Sequence, residues 1–362
     1  MVLLDGHSLT LDALVAIADE GAAVGLAPAA AARVEAARAV VDRKAAGDEA
    51  VYGINTGFGA LAETPIPRGA LGTLQLNLLR SHAAGVGEPL PVRAVRASMT
   101  LRANVLAKGF SGIRRGTLER LIDLLNRRVH PRVPSRGSVG ASGDLAPLAH
   151  LALVLVGEGE AAVGDGAVVP GREALRAVGL EPVSLEPKEG LALVNGTQPS
   201  TAVAALTVAG AERLARAADI AAALSIDALR GSLHPFDPRI HAARPHAGQS
   251  ASAANTLALL SDSAINRSHE HCGRVQDAYS LRCAAQVHGA ARDALRFVRE
   301  TVMIEANAAT DNPMVFAAED EIVSGGNFHG APVSVASDLA AIALAQLVTI
   351  SERIERLPSR FW

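Results

Sequence analysis

Cysteine, lysine and aromatic residues are all scarce in this chain, and each shortage narrows what it can be. Two cysteines, Cys272 and Cys283, in 362 residues cannot build a disulfide framework, so a reducing compartment, the cytoplasm, is the expected setting. Aromatic residues are 3% of the chain, so aliphatic packing must supply the core. Basic charge is nearly all arginine, the only lysines being Lys44, Lys108 and Lys188. Neither sign of charge dominates: a net charge of −3 gives no footprint for nucleic acid or an anionic membrane. The first 20 residues carry Asp5, Asp12, Asp19 and Glu20 without a basic start, unlike a secretory signal. No uninterrupted apolar run reaches the roughly 18 residues of a membrane span. The longest candidate, 145–156, is short and contains His150.

What the chain does have is Ala- and Leu-rich sequence with helical period. Apolar residues recur every three or four positions over 34–46, 71–81, 92–107 and 118–128. A helix over 9–18 is expected to start from Ser8 as its N-cap. Longer helices are expected over 196–223, 284–306 and 332–356. Strand-like sequence is confined to two short hairpins, 161–169 around Gly164-Asp165-Gly166 and 315–324 around Glu319-Asp320. The fold class is therefore mainly α. A change of character near 186–190 divides a loop-rich, Gly-rich domain, 1–190, from a long-helix bundle, 191–362.

Three segments concentrate polar chemistry. The first, Tyr-Gly-Ile-Asn-Thr-Gly-Phe-Gly at 52–59, opens on Tyr52 and is kept tightly turned or mobile by its glycines. As a plain surface turn with a packed tyrosine it would look the same. The second is Gly-Ser-Val-Gly-Ala-Ser-Gly-Asp at 137–144. It lacks the Lys-Ser/Thr of a phosphate loop and a clear preceding strand, and Gly143 directly after Ser142 breaks the nucleophile-elbow pattern. It does place Ala141-Ser142-Gly143 at the mouth of a helix that Asp144 is positioned to cap. In a tight bend the Gly143 nitrogen can attack the Ala141 carbonyl and close a five-membered ring, since glycine has no Cβ to block the approach. Loss of water from Ser142 then leaves a 4-methylidene-imidazol-5-one, an electrophile that ordinary side chains do not provide.

The third segment runs over 266–283. His269, Glu270, His271 and Cys272 invite a metal reading, but i and i+2 side chains do not share a helix face, and no His-Glu-x-x-His or Cys-x-x-Cys spacing accompanies them. No metal is expected. Gln276, Tyr279 and Arg282 are three apart and on a helix would share one face.

Seven segments in order resemble the ammonia-lyases that carry the methylidene-imidazolone group, most closely those acting on histidine. They are 52–59, Ser-His-Ala-Ala-Gly-Val-Gly at 81–87, Phe-Ser-Gly-Ile-Arg-Arg at 110–115, 137–150, Lys-Glu-Gly-Leu-Ala-Leu-Val-Asn-Gly-Thr-Gln at 188–198, Val-Gln-Asp-Ala-Tyr-Ser-Leu-Arg-Cys at 275–283, and Ser-Gly-Gly-Asn-Phe-His-Gly at 324–330. The only two tyrosines, Tyr52 and Tyr279, both fall where the family places functional ones.

The resemblance implies a fold of the ammonia-lyase/fumarase type and elimination of ammonia from an α-amino acid. It implies a prosthetic group formed from Ala141, Ser142 and Gly143, with no metal. Tyr52 would take the β-proton; a phenol is a weak base at neutral pH, so the site must favour the phenolate. Arg282 would grip the substrate carboxylate through a bidentate pair. Asn195 would hold the prosthetic group or the substrate's polar end, Gln276 and Tyr279 would order the electrophile and relay protons, and Phe328 would wall the ring pocket. His82 points to histidine as substrate and urocanate as product, because an imidazole can hydrogen-bond another imidazole. A packed core histidine, a lyase or 2,3-aminomutase on another aromatic amino acid, and a non-catalytic subunit are the competing readings. The family forms homotetramers whose active sites draw on several subunits. Its chains normally continue past residue 362 with further bundle helices and an active-site glutamate, so this chain is expected to lack its C-terminal portion, which a second chain could supply.

Overall fold

The computed structural model describes residues 1–269, 271 and 273–357. Glu270 and Cys272, two of the four residues that raised the metal reading, lie outside the described residues, as do 358–362. The helices are α1 (Leu11–Val15), α2 (Pro28–Ala46), α3 (Leu71–His82), α4 (Val92–Ala107), α5 (Arg115–Asn126), α6 (Leu145–Leu155), α7 (Gly171–Ala177), α8 (Glu189–Val194), α9 (Gln198–Ala228), α10 (Pro238–Ala243), α11 (Ala247–Leu260), α12 (Ala264–Ser268), α13 (Tyr279–Arg282), α14 (Ala284–Ala306) and α15 (Ala331–Glu355). The strands are β1 (Val2–Leu4), β2 (Val24–Leu26), β3 (Val86–Pro89), β4 (Val129–Pro131), β5 (Pro134–Arg136), β6 (Glu160–Val163), β7 (Val168–Pro170), β8 (Met314–Phe316) and β9 (Glu321–Val323). The fold is mainly α, as composition and period require.

The chain forms two compact units, one of residues 1–206 and 302–333, the other of 207–301 and 334–362. In the first, α4 is buried over nearly its whole length. Small sheets bracket the helices: β1 with β2 in parallel, and the antiparallel sets β3–β5, β4–β6–β7 and β8–β9. The two expected hairpins are β6–β7 and β8–β9. The expected N-cap Ser8 instead hydrogen-bonds Asp5 through its hydroxyl, and Thr10 caps α1 by accepting the Ala13 N–H at 3.2 Å. Residues 186–190, where the sequence changes character, form the entry to α8.

The second unit packs Ala222, Ile226, Phe236, Leu281, Ala285 and Ile350 into one apolar core. Helix α15 is long and apolar enough to cross a membrane by length and composition, a feature hidden from a search for uninterrupted apolar runs because Ser334, Ser337 and Asp338 break the run. Its buried residues Ala336, Ala340, Ala343, Leu347, Ile350 and Ile354 recur every three or four positions, the stripe of a bundle helix packed on one side. Val335, Ile342 and Val348 are exposed on the rest of its surface.

Candidate active site

Strand β5 leads straight into the loop 137–144, so a short strand does precede this segment, contrary to the sequence reading. It escapes notice because three residues paired with β3 show no alternation. Ala141 and Ser142 lie exposed in a bend, while Gly143 and Asp144 are buried. Gly143 adopts φ +80°. A Cβ there would lie 2.6 Å from the Gly196 carbonyl oxygen and 2.9 Å from the Gly196 nitrogen, so the position demands glycine twice over, by backbone conformation and by space. The Asp144 N–H donates to the same Gly196 oxygen at 2.6 Å. The tripeptide therefore rests on the turn between α8 and α9.

Asp144 precedes α6 but does not cap it with its side chain, a departure from expectation. Its carboxylate accepts instead from the Ser200 N–H (2.7 Å), the Ser200 hydroxyl (2.8 Å) and the Ser138 hydroxyl (2.5 Å). Ser200 sits in the first turn of α9, where backbone N–H groups lack helical partners, so the carboxylate satisfies the N-terminus of α9 and not that of α6.

Other loops of the same unit gather on this platform. Asn195, buried at the end of α8, donates its side-chain amide to the Asn312 carbonyl (2.8 Å). The Asn312 side chain accepts from the Gly325 N–H (2.7 Å) in the segment that carries half-buried Phe328. Five residues on, the Gly330 N–H donates to the Gly140 carbonyl (2.8 Å) and ties that segment to the tripeptide loop. The Tyr52 loop is closed by Asn55, which accepts the Val51 N–H (2.7 Å) and donates to the Glu49 carbonyl (2.8 Å). Gly53 at φ +75° approaches Leu191 of α8 so closely that a Cβ would stand 2.7 Å from it. Half-buried Tyr52 meets Phe58 edge-on with ring centroids 6.2 Å apart.

His82 ends α3. Its Nδ1 lies 2.9 Å from the Leu78 carbonyl, which can only accept, so that nitrogen carries the proton and Nε2 keeps a free lone pair in the neutral ring. Just beyond, the Gly85 N–H donates to His150 Nε2 (3.0 Å). Burial pulls His150 below the ordinary imidazole range, which keeps that nitrogen an acceptor.

The second unit holds the remaining three candidates. Tyr279 and Arg282 share the face of the single turn α13, with the guanidinium carbon 4.4 Å from the ring centre. Gln276 is not on that helix. Residues 274–278 have no regular secondary structure, and Asp277 there accepts from the Ser232 N–H (2.6 Å) and from Arg274 (2.9 Å), bonds made outside any helix. His269 and His271 follow the end of α12 in a turn. Among the described residues no three His, Cys, Asp or Glu side chains are grouped to hold a metal.

The sequence reading missed the layer beneath the tripeptide. Arg102, fully buried in α4, donates to the carbonyls of Ala192 (2.5 Å) and Asn195 (2.8 Å) and to the Gln198 side-chain oxygen (2.7 Å). Glu305 accepts from the Thr197 hydroxyl at 2.6 Å. Burial holds the Glu305 carboxyl above its ordinary range; the Thr197 bond opposes this and the Asp144 charge adds to it. The signal was present as Arg96, Arg102 and Asn104, buried polar side chains in a helix whose other buried positions are apolar or hydroxyl residues.

The comparisons agree on ancestry. The family profile described as aromatic amino acid lyase matches residues 9–360. A histidine ammonia-lyase of Gloeobacter violaceus is 57% identical over 98% of this chain, which spans 69% of that relative. One from an Anaeromyxobacter species is 58% identical over 98% of this chain, which spans 72% of it. Among solved structures, histidine ammonia-lyase from Trypanosoma cruzi superposes with TM-score 0.90 at 45% identity, over 98% of this chain and 66% of its own. Tyrosine aminomutase from Streptomyces globisporus superposes with TM-score 0.92 at 40% identity, over 98% and 70%. The chain belongs to the aromatic amino acid lyase family.

Proposed function

We propose that this chain carries the catalytic residues of a histidine ammonia-lyase, which eliminates ammonia from L-histidine to give trans-urocanate. The observation that carries the reading is the seat of Gly143, wedged at φ +80° against the Gly196 backbone beside an exposed Ala141 and Ser142. That geometry fits ring closure of the tripeptide to a methylidene-imidazolone. When formed, the group supplies an electrophile that turns the substrate's amine, or its ring, into part of a better leaving system.

The chain's own residues take the remaining roles. Tyr52 accepts the β-proton. Asn195, fixed by Asn312, presents a polar group beside the tripeptide. Arg282 binds the carboxylate, with its guanidinium stacked on Tyr279. Gln276 and Tyr279 order the electrophile and relay protons, and Phe328 walls the ring pocket. His82 selects the imidazole: with Nδ1 committed to Leu78, its Nε2 lone pair accepts the substrate ring N–H. No metal enters this scheme. Homotetrameric assembly in the cytoplasm belongs to the same reading. The resemblance supports it, as do exposed Ile220 and Leu224 on α9 and exposed Ile342 and Val348 on α15.

The relatives at 57 and 58% identity favour histidine over tyrosine as substrate. Incubation with L-histidine, L-tyrosine and L-phenylalanine in turn tests this. Growth of urocanate's ultraviolet absorbance with histidine alone is expected. A β-amino acid or a cinnamate-type product in its place would overturn the assignment.

A further inference from the structure

Arg102 is an expensive residue in its place. It is fully buried, in a helix that is itself buried over nearly its whole length, where an unshared charge is strongly disfavoured. Its nearest carboxylate, Asp311, stands 3.5 Å away, longer than a good ion pair, and Asp311 also accepts the Asn312 N–H. What the guanidinium does well is collect oxygens: the end of α8 through Ala192, the turn through the Asn195 carbonyl, and the first residue of α9 through Gln198. Gln198 passes the constraint on, donating to the Thr310 hydroxyl at 2.6 Å. A planar fork of five N–H donors suits such a set of acceptors, and an ammonium does not.

The clamped turn is the surface on which the tripeptide bends. We infer that Arg102 is a positioning residue for formation of the prosthetic group: through Asn195, Gly196 and Gln198 it makes the wall that forces Gly143 toward Ala141. This rests on the functional reading above. Ring closure forms a bond from the Gly143 nitrogen to the Ala141 carbonyl carbon, and the carbonyl oxygen leaves as water with two protons. Ser142 then loses its hydroxyl and its α-hydrogen as a second water. The first step requires atoms two residues apart to approach within bonding distance, which an open chain resists. The Gly196 carbonyl oxygen and nitrogen, which would stand 2.6 and 2.9 Å from a Cβ at position 143, leave the chain little room to relax toward them. Gly196 itself abuts the Arg102 guanidinium.

The test follows the mass of the peptide spanning 137–150 after synthesis, with circular dichroism and oligomeric state as checks of folding. In the wild-type protein this peptide is expected to be lighter by two waters. Arg102→Lys keeps the charge and loses the fork; folded protein is expected to remain largely unmodified. Gln198→Met removes one acceptor and leaves the arginine, and should slow modification on the order of tenfold. Folded Arg102→Lys that loses both waters as fast as wild type overturns the inference. If Arg102→Lys does not fold, Gln198→Met decides alone, and a wild-type rate of modification overturns it. An unmodified wild-type peptide in folded protein would instead overturn the functional reading beneath.

Discussion

Gly143 and His82 answer different questions, one about whether the electrophile forms and one about which amino acid it meets. Gly143→Ala places a methyl group 2.6 Å from the Gly196 oxygen on a backbone at φ +80°. The strain costs about 1–3 kcal/mol, within what a folded domain tolerates. The expected product is a folded protein whose tripeptide keeps both waters and whose lyase activity falls below detection; retained activity would contradict this. His82→Leu removes the free imidazole nitrogen and leaves the helix end in place. Steady-state kinetics should show kcat/KM for histidine reduced roughly 10- to 100-fold with the two-water mass loss intact. An unchanged kcat/KM would assign His82 to packing. At this scale the sequence was readable where chemistry-bearing residues sit in loops between glycines, as around Tyr52 and Ser142. It did not reveal what Arg102 and Glu305 do, because their roles depend on partners 93 and 108 residues away in the chain.

Helical period located the long elements closely: α4 and α14 have the boundaries that the pattern predicts. Short elements escaped. Strands β1 and β3 have three and four residues, and α8 and α13 have six and four, too few for any period to register. Helix ends were also misjudged. Ser8 and Asp144 are both good cap residues next to a helix, yet each makes better bonds elsewhere, Ser8 with Asp5 and Asp144 with Ser200. The three-residue spacing of Gln276, Tyr279 and Arg282 suggested one helix face, but the helix starts only at Tyr279, and Asp277 before it bonds to Ser232. The Asp144 bonds give an element-scale prediction. Asp144→Ala strands the Ser200 N–H and removes the acceptor for both Ser200 groups at the start of α9 and for the Ser138 hydroxyl. Denaturant unfolding should show a loss of about 2–3 kcal/mol. A change within about 0.5 kcal/mol, the range of ordinary surface substitutions, would mean that the cap is not used.

At the scale of the molecule, acid should weaken the first unit. His130, buried in β4, has its imidazole pulled down to about 4 from 6.5, first by burial and then by the Arg96 and Arg128 charges. The folded form therefore prefers the neutral ring. Its contribution is complete above the unfolded value of 6.5 and is lost as pH falls toward about 4, where the folded ring also takes a proton. The loss amounts to roughly 3 kcal/mol at most by linkage. His130→Gln should lack this component, so the stability difference between wild type and variant should drift across that interval. A difference independent of pH would remove His130 as the cause.

The chain covers 69–72% of its first curated relatives, and within that span it keeps the tripeptide, its wall and the loops that meet there. Everything catalytic in the account requires that Ala141, Ser142 and Gly143 stop being ordinary residues. Mass spectrometry of the intact chain and of its 137–150 peptide, on purified folded protein never exposed to another lyase, measures this directly. The account predicts a deficit of two waters confined to that peptide. Full, unmodified mass in folded protein would contradict it.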